Sequence, residues 1–397
     1  MPLAFPAPTV PFAAKAEATR GRLHAEEESS GRTPFQRDRD RVLHTVAFRR
    51  LKHKTQVFVF HEGDHYRTRL THSLEVSQIA RAMARTLKLD EDLAEVVALS
   101  HDLGHPPFGH TGEDVLEEMM EGAGGFDHNA QTLRLMTKLE RQHGAYLGLN
   151  LTWETLEGTV KHNGPLVGPL RTKDRPLPVA LAEYAERHDL WLQTFPSLEA
   201  QLAALADDIA YNNHDADDGL RAGLFSFEEA MDVPLLGPSL AQARKAWPDE
   251  PREVQIAEAV SALIGRMVAD VLAETGRRIE DLSPQHADDI RHAERATAAF
   301  SDGMTEQLSV LRTFLFERMY RHHKVNAVRS QAKRIVRDLF CLFRDEPEVL
   351  PPAWFKRQEG GSLDKRKRVI CDYIAGMTDR YAIHEHKRLF DLSRNFL

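Results

Sequence analysis

The chain is poor in several features that would place it in a specialised class. It has two cysteines, Cys341 and Cys371, which are far apart and set in apolar sequence. They form no CxxC pair, which argues against a disulfide framework and a thiolate zinc site and fits a reducing, cytoplasmic compartment. No apolar run approaches the ~20 residues that cross a bilayer, so no membrane span is expected. Basic residues are not in excess: 52 Lys and Arg against 60 Asp and Glu leave a formal charge of −8. Nothing chain-wide therefore attracts nucleic acid. Met1 to Lys15 is apolar but broken by prolines, with no basic residues ahead of the apolar ones, and does not read as a signal peptide. No internal repeat is visible.

What remains is an ordinary globular composition, with 42% hydrophobic and 28% charged residues over 397 positions. That length can bury a large core. Residues 1–33 read as a flexible tail, rich in Pro and Ala and then in Glu and Ser. A charged helix is expected through Arg37 to Leu51, and a short β-like run at Gln56–Phe60. Helical patterns follow from Arg69 to Lys88, with Leu74, Ile79 and Met83 in apolar positions, and again from Asp90 to Asp102. Thr111 reads as the cap of the next helix and Asp127 as the cap of another. Short helices at Thr152–Lys161 and from Leu181, a strong one at Ser197–Tyr211, and an irregular stretch at 233–251 complete this half. Beyond 250 the pattern predicts helices at 253–275, 284–300, 305–321, 330–343 and 365–381. The fold class is all-α, with at most a minor β-hairpin.

One stretch concentrates chemistry. His101-Asp102-Leu103-Gly104-His105-Pro106-Pro107-Phe108-Gly109-His110-Thr111-Gly112-Glu113 holds three other ionisable side chains besides the adjacent His101 and Asp102. Such density near a core is costly unless the groups are paired or bind something. His72, His101, Asp102 and Asp207 come from three separate helical segments. Imidazoles with carboxylates suit a divalent ion such as Mn, Mg, Co or Fe. Four such ligands leave positions open for a water and a substrate oxygen. His105, His110 and Glu113 lie one loop further on, with His110 and Glu113 spaced to form an imidazole–carboxylate dyad and His128 able to reach the same phosphate. Asp207, Tyr211 and Asp215 stand at i, i+4 and i+8, which puts them on one helix face.

Several of these have blander readings. His101-Asp102 alone could cap a helix end, Tyr211 could be a core tyrosine, and Asp208 reads as a helix-face residue. The Arg37–Arg50 run reads as a solvated face, and Lys161 and His162 suit a plain loop as well as a phosphate contact.

The ordered set decides between them. Arg49-Arg50-Leu51 with Lys54-Thr55-Gln56-Val57, Arg69-Leu70-Thr71-His72-Ser73, the His101–His110 stretch, Phe126-Asp127-His128-Asn129, Ala206-Asp207-Asp208-Ile209-Ala210-Tyr211 and Tyr373-Ile374-Ala375-Gly376-Met377-Thr378-Asp379 resemble the bacterial deoxyguanosine triphosphate triphosphohydrolases and their relatives in the HD-domain superfamily. The resemblance runs from about residue 34 to about 385. It implies a tail over 1–33, an HD-domain catalytic core over 34–232, and a helical region over 233–397 that completes the pocket and subunit interface. The implied activity is metal-dependent hydrolysis of a deoxynucleoside triphosphate, dGTP or several dNTPs, to deoxynucleoside and inorganic triphosphate. Carried over motif by motif, the metal ligands are His72, His101, Asp102 and Asp207, and His110 with Glu113 is the catalytic dyad. His105, Arg69 and His128 fall at phosphate contacts. Gln56 and Asp215 fall at the sugar 3′-hydroxyl, Tyr211 under the deoxyribose and Tyr320 near the base. The resemblance also implies homo-oligomers, hexamers among them, and a nucleotide or single-stranded DNA effector. The alternatives are another HD phosphohydrolase, such as a nucleotidase or alarmone hydrolase, or a nucleotide or single-stranded DNA sensor.

Overall fold

A computed structural model describes residues 8–56, 67–171 and 176–391. Its helices run in the order α1 (Pro34–Leu43), α2 (Val46–Arg50), α3 (Arg69–Thr86), α4 (Glu91–Ser100), α5 (His110–Met119), α6 (His128–Arg134), α7 (Trp153–Lys161), α8 (Val179–Ala185) and α9 (Leu198–Arg221). They continue with α10 (Phe227–Met231), α11 (Leu236–Ala246), α12 (Arg252–Leu282), α13 (Ala287–Arg291), α14 (Asp302–Leu315), α15 (His323–Asp345), α16 (Pro352–Gln358), α17 (Leu363–Ala375) and α18 (Asp379–Phe390). No sheet occurs among the described residues; extended pairing is limited to single bridges such as Thr55 with Thr68. The fold is all-α. Most of the β-like run at Gln56–Phe60 lies outside the described residues.

Two apolar cores carry the molecule. The larger gathers Leu93, Val96, Val97 and Leu99 of α4, Val76, Ala80 and Met83 of α3, Ala206 and Ile209 of α9, and Leu263, Met267 and Val271 of α12. The second gathers Phe108, Val115 and Leu116 around Val336, Phe340 and Phe343 of α15 and Ile370 and Ile374 of α17. The stretch His101–Glu113 passes from one to the other: Leu103 belongs to the first core and Phe108 to the second.

Local chemistry explains many helix ends. Thr33, Thr68, Asp90, Asp127, Thr152 and Ser197 each accept a backbone N–H of the first turn that follows. Several expectations change. Residues 8–33 pack against the body instead of forming a tail, because Phe12, Ala13, Ala14 and Ala16 join the larger core and the Ala14 amide donates to Glu199 Oε1 at 2.9 Å. The charged helix expected to Leu51 breaks at His44–Thr45, where Thr45 starts α2. Leu74 is exposed, and Val76 and Ala80 take the buried face of α3. Thr111 is not a cap: α5 already begins at His110, behind Gly109. Residues 233–251, expected to be irregular, contain α11. The helix expected over 284–300 shrinks to α13, while α12 runs on past its expected end to Leu282, where Ser283 stops it in a left-handed conformation, φ 49. The last long helix is two, α17 and α18, separated at Gly376 to Thr378.

Candidate metal and catalytic site

α9 contributes Asp207, Tyr211, His214 and Asp215 from one face, because a 24-residue helix carries the i, i+4, i+7, i+8 series past the end that the apolar pattern had suggested. α3 contributes His72 from its first turns, and His101 sits at the C-terminal end of α4. These three helices pack on one another. His72 Nε2 lies 2.9 Å from Asp207 Oδ1, and His101 Nε2 lies 3.3 Å from Asp102 Oδ1 and 3.5 Å from Asp207 Oδ1. The nitrogens and oxygens of His72, His101 and Asp102 converge closely enough to share one ion, with Asp207 beside them.

The donor set fits a cation. His101 Nδ1 donates to the Ala98 carbonyl at 2.6 Å, which leaves Nε2 as a bare lone pair; that atom is buried without a hydrogen-bond partner. A lone pair facing two carboxylates requires a proton or a metal ion between them. Burial opposes charge on His101, but Asp102 and Asp207 outweigh it and push the imidazole up to about 9. Behind His72 stands a relay that sequence reasoning missed. His72 Nδ1 lies 3.2 Å from His214 Nδ1, and His214 Nε2 contacts Glu75. With Glu75 accepting from His214 Nε2–H, His214 Nδ1 accepts from His72 Nδ1–H, so His72 Nε2 is left free for the ion. The i+7 position of His214 from Asp207 was the available signal.

A second cluster adjoins the first through His105. His105 Nε2 lies 3.2 Å from Asp102 Oδ1, and its ring stacks on His128 with centroids 4.0 Å apart. Glu113 joins the other two: Oε2 meets His110 Nδ1 at 2.8 Å, while Oε1 meets both His128 Nδ1 at 2.8 Å and the His128 amide at 2.9 Å. These contacts hold the Glu113 carboxyl well below the usual range despite burial. Burial, with Arg69 and His128 adding to it, keeps His105 neutral. Its Nδ1 is buried without a partner. His110 is the exposed member, its side chain 64% accessible.

The loop between the clusters is shaped by backbone constraints. Gly104 sits so close to α6 that an added Cβ would lie 2.1 Å from the His128 carbonyl oxygen. Phe108 and Gly109 both have positive φ, 64 and 58, which is uncommon for a residue with a bulky side chain. Gly109 also lets Arg69 approach: a Cβ there would lie 2.9 Å from Arg69 Nη2. Arg69 donates through Nη1 to Asp102 Oδ2 at 2.7 Å. Lys54, Thr55 and Asp379 hold the outside of this loop. Lys54 Nζ donates to the carbonyls of His105 and Ala375, and Asp379 accepts from the amides of Thr55 and Phe108 at 2.9 and 2.8 Å. Burial pushes the Lys54 ammonium down to about 7 against the pull of Asp379.

Tyr320 ends a widened π-type turn after α14, and its hydroxyl bridges Tyr211 and Asp215, reaching Asp215 Oδ2 at 2.7 Å. Burial drives the Asp215 carboxyl well above its ordinary range, and Asp215 Oδ1 is buried without a partner. Gln56 also has a buried, unpartnered Oε1, and its backbone oxygen lies near Gly109. The structure thus gathers twelve of the thirteen expected residues around the metal cluster, the histidine cluster and the Tyr211–Tyr320–Asp215 chain, with Gln56 beside the Gly109 loop. Others stand apart. Lys161 is fully buried and donates to Thr194 Oγ1 and the carbonyls of Trp191 and Phe195, and Asp208 pairs with Arg312. His162 lies beside His101, ring centroids 6.3 Å apart, and donates through Nδ1 to the Thr159 carbonyl.

Comparison with known proteins agrees with this architecture. An HD domain matches residues 69–212, and a phosphohydrolase-associated domain matches residues 298–388. The chain is 58% identical over 392 residues, 99% of both chains, to a deoxyguanosinetriphosphate triphosphohydrolase-like protein of Parvibaculum lavamentivorans. It is 56% identical over 385 residues, 97% of both, to one of Caulobacter vibrioides. It belongs to the deoxyguanosinetriphosphate triphosphohydrolase-like family. A third relative, from Brucella ovis, is 54% identical over 96% of this chain and 95% of its own. Membership makes the chain an HD-domain phosphohydrolase, and an HD domain implies a divalent metal ion. The HD match spans α3 to α9 and therefore the metal cluster; the associated domain spans the α15–α18 region that packs on Phe108 and α5. Among the described residues, no helix is long and apolar enough to cross a membrane.

Proposed function

We propose that the protein hydrolyses deoxynucleoside triphosphates to a deoxynucleoside and inorganic triphosphate. The observation that carries this reading is the contact of His105 with Asp102, which sets the His110–Glu113–His128 cluster directly against the metal cluster. A phosphate held by an ion at His72, His101, Asp102 and Asp207 would also face imidazoles held by Glu113. Mn, Mg, Co and Fe all suit these ligands; when bound, the ion polarises a phosphoryl oxygen and lowers the pKa of a bound water.

In the hydrolysis, water adds to the α-phosphorus, the bond to the 5′-oxygen breaks, and that oxygen leaves with a proton. His110 is the group for proton transfer: Glu113 takes its Nδ1–H, which leaves Nε2 of this exposed side chain to exchange the proton. His128 and His105 sit where the phosphates would lie, and Arg69 is placed between Asp102 and the Gly109 backbone. The Tyr211–Tyr320–Asp215 chain starts one turn beyond Asp207, which suits a sugar adjoining the α-phosphate. Asp215 Oδ1 and Gln56 Oε1 are both buried without a partner and are assigned to a 3′-hydroxyl, and the Tyr211 ring is assigned the exclusion of a 2′-hydroxyl. Family resemblance supports a homo-oligomer, hexamers among the options, with nucleotide or single-stranded DNA effectors.

The test is a panel of dNTPs and GTP with Mn, Mg and Co, with products separated by chromatography. Triphosphate and deoxynucleoside in equal amounts, with GTP spared, are the expected result. Orthophosphate or pyrophosphate as the product would move the assignment to a nucleotidase or alarmone hydrolase. Equal hydrolysis of GTP and dGTP would refute the role given to Tyr211.

A further inference from the structure

The histidine cluster has the make-up of a metal site in its own right. One nitrogen each of His105, His110 and His128 and one oxygen of Glu113 lie within 4.8 Å of one another. A tetrahedral ion about 2.0–2.2 Å from each donor holds the donors ~3.5 Å apart, so this set has to contract by about 1 Å. Two side chains have room to move. His110 is 64% accessible, and its ring is free to swing. His128 is 18% accessible and stacks on His105 with the ring planes 18° apart. An imidazole lone pair lies in the plane of its ring, so a tilt of His128 out of that stack brings both lone pairs toward one point.

His105 supplies the observation that points to a ligand. Its Nε2 faces Asp102 Oδ1 at 3.2 Å, a contact that needs a hydrogen on Nε2. Nδ1 is then a bare lone pair, buried without a partner on a side chain only 3% accessible. A carboxylate behind one imidazole nitrogen, with the other nitrogen free, is the arrangement that orients histidines on metal ions. Glu113 already faces the other two rings: its oxygens lie 2.8 Å from His110 Nδ1 and 2.8 Å from His128 Nδ1. Hydrogens on those nitrogens bridge to the carboxylate. Their release to solvent, or transfer to Nε2, leaves two more lone pairs facing the same acid. Three imidazoles and one carboxylate match the tetrahedral nitrogen and oxygen preference of zinc, whereas Mg and Mn favour octahedral, oxygen-rich sites.

We infer that His105, His110, Glu113 and His128 form a second cation site, selective for zinc, beside the HD-domain ion. Zinc there ties up His110 and Glu113 and switches turnover off. The switch rests on the proton-transfer role proposed for His110; the binding does not.

The test is equilibrium dialysis of the full-length protein against buffered zinc, followed by metal analysis. It is run on wild type and on the His110→Ala/His128→Ala double variant, with circular dichroism as the check on folding. Zinc also suits the HD-domain ligands, so the expected count is two ions per wild-type chain and one per variant chain. The single variant His110→Ala, changed at an exposed position, should hold the second zinc more weakly. Cobalt in place of zinc reports geometry: its second equivalent should add tetrahedral absorption bands in wild type only. With Mn supplied first and metal content followed in the same samples, added zinc should lower dNTP turnover toward the ~10²–10⁴-fold loss that removal of a proton-transfer group causes. One zinc per wild-type chain, or two in wild type and double variant alike, would overturn the inference. Full turnover with the second zinc bound would overturn the switch. A chain that binds the second zinc but hydrolyses no dNTP would support the site while refuting the proposed reaction.

Discussion

Asp379 Oδ1 accepts the backbone N–H of Phe108 at 2.8 Å across 271 positions of sequence. Its other oxygen takes both the amide and the hydroxyl of Thr55, at 2.9 and 2.6 Å. One buried carboxylate at the start of α18 therefore ties the positive-φ loop of the histidine cluster to the segment that carries Gln56. Backbone held in the left-handed region persists when its surroundings over-determine it.

Asp379→Ala should release that loop without touching the metal ligands. A misplacement of about 1 Å at His110 is enough to cost ~10²-fold in turnover. Steady-state kinetics should show the loss in kcat, while metal content stays at the wild-type level. Loss of metal together with activity would show that Asp379 supports the whole fold and not the loop.

His214→Ala removes the acceptor behind His72 and leaves its tautomer unspecified. Substitution of groups that orient a ligand costs metal affinity by about 10–100-fold. Chelator competition followed by metal analysis measures this. Glu75→Gln should act in the same direction but more weakly, because His214 remains. Unchanged affinity in both variants would exclude the relay.

His110→Ala should lower turnover by ~10²–10⁴-fold while the ion stays bound, since His110 contacts Glu113 and none of the metal ligands. The decisive comparison is activity beside metal stoichiometry in one preparation. Wild-type turnover in this variant would remove His110 from the proton-transfer role.

Stability should depend on pH through Glu199 and Asp90. Burial raises both carboxyls to about 7, with Glu199 and Asp92 adding to the shift on Asp90. An acid whose folded-state pKa is raised binds more protons folded than unfolded, so its contribution is present below the ordinary carboxylate range, near 4.5 for glutamate, and is lost as pH rises through about 7. Thermal unfolding should therefore occur at lower temperature at pH 8 than at pH 6. Glu199→Gln should flatten that dependence, and a slope identical to wild type would rule the pair out. The Ala14 amide bonded to Glu199 makes the docked segment at residues 8–33 the first place where protection from hydrogen exchange should weaken.

The parts of the site that sequence spacing determined are the short-range ones. His101 and Asp102 are adjacent, His110 and Glu113 are one turn apart, and Asp207, Tyr211 and Asp215 follow the helical period. Geometry within one helix or one turn is dictated by 3.6 residues per turn, so neighbours there can be read directly from positions. The all-α class followed from the same periodicity. Tertiary structure alone decided the rest. It set Glu75 behind His214 behind His72, brought Asp379 and Lys54 onto the loop, turned the α17–α18 region into a second core under Phe108, and docked residues 8–33. These contacts join segments far apart in sequence, and a polar side chain carries no mark of its distant partner. Only packing, by burying a donor or an acceptor that must then be satisfied, selects which pair will meet.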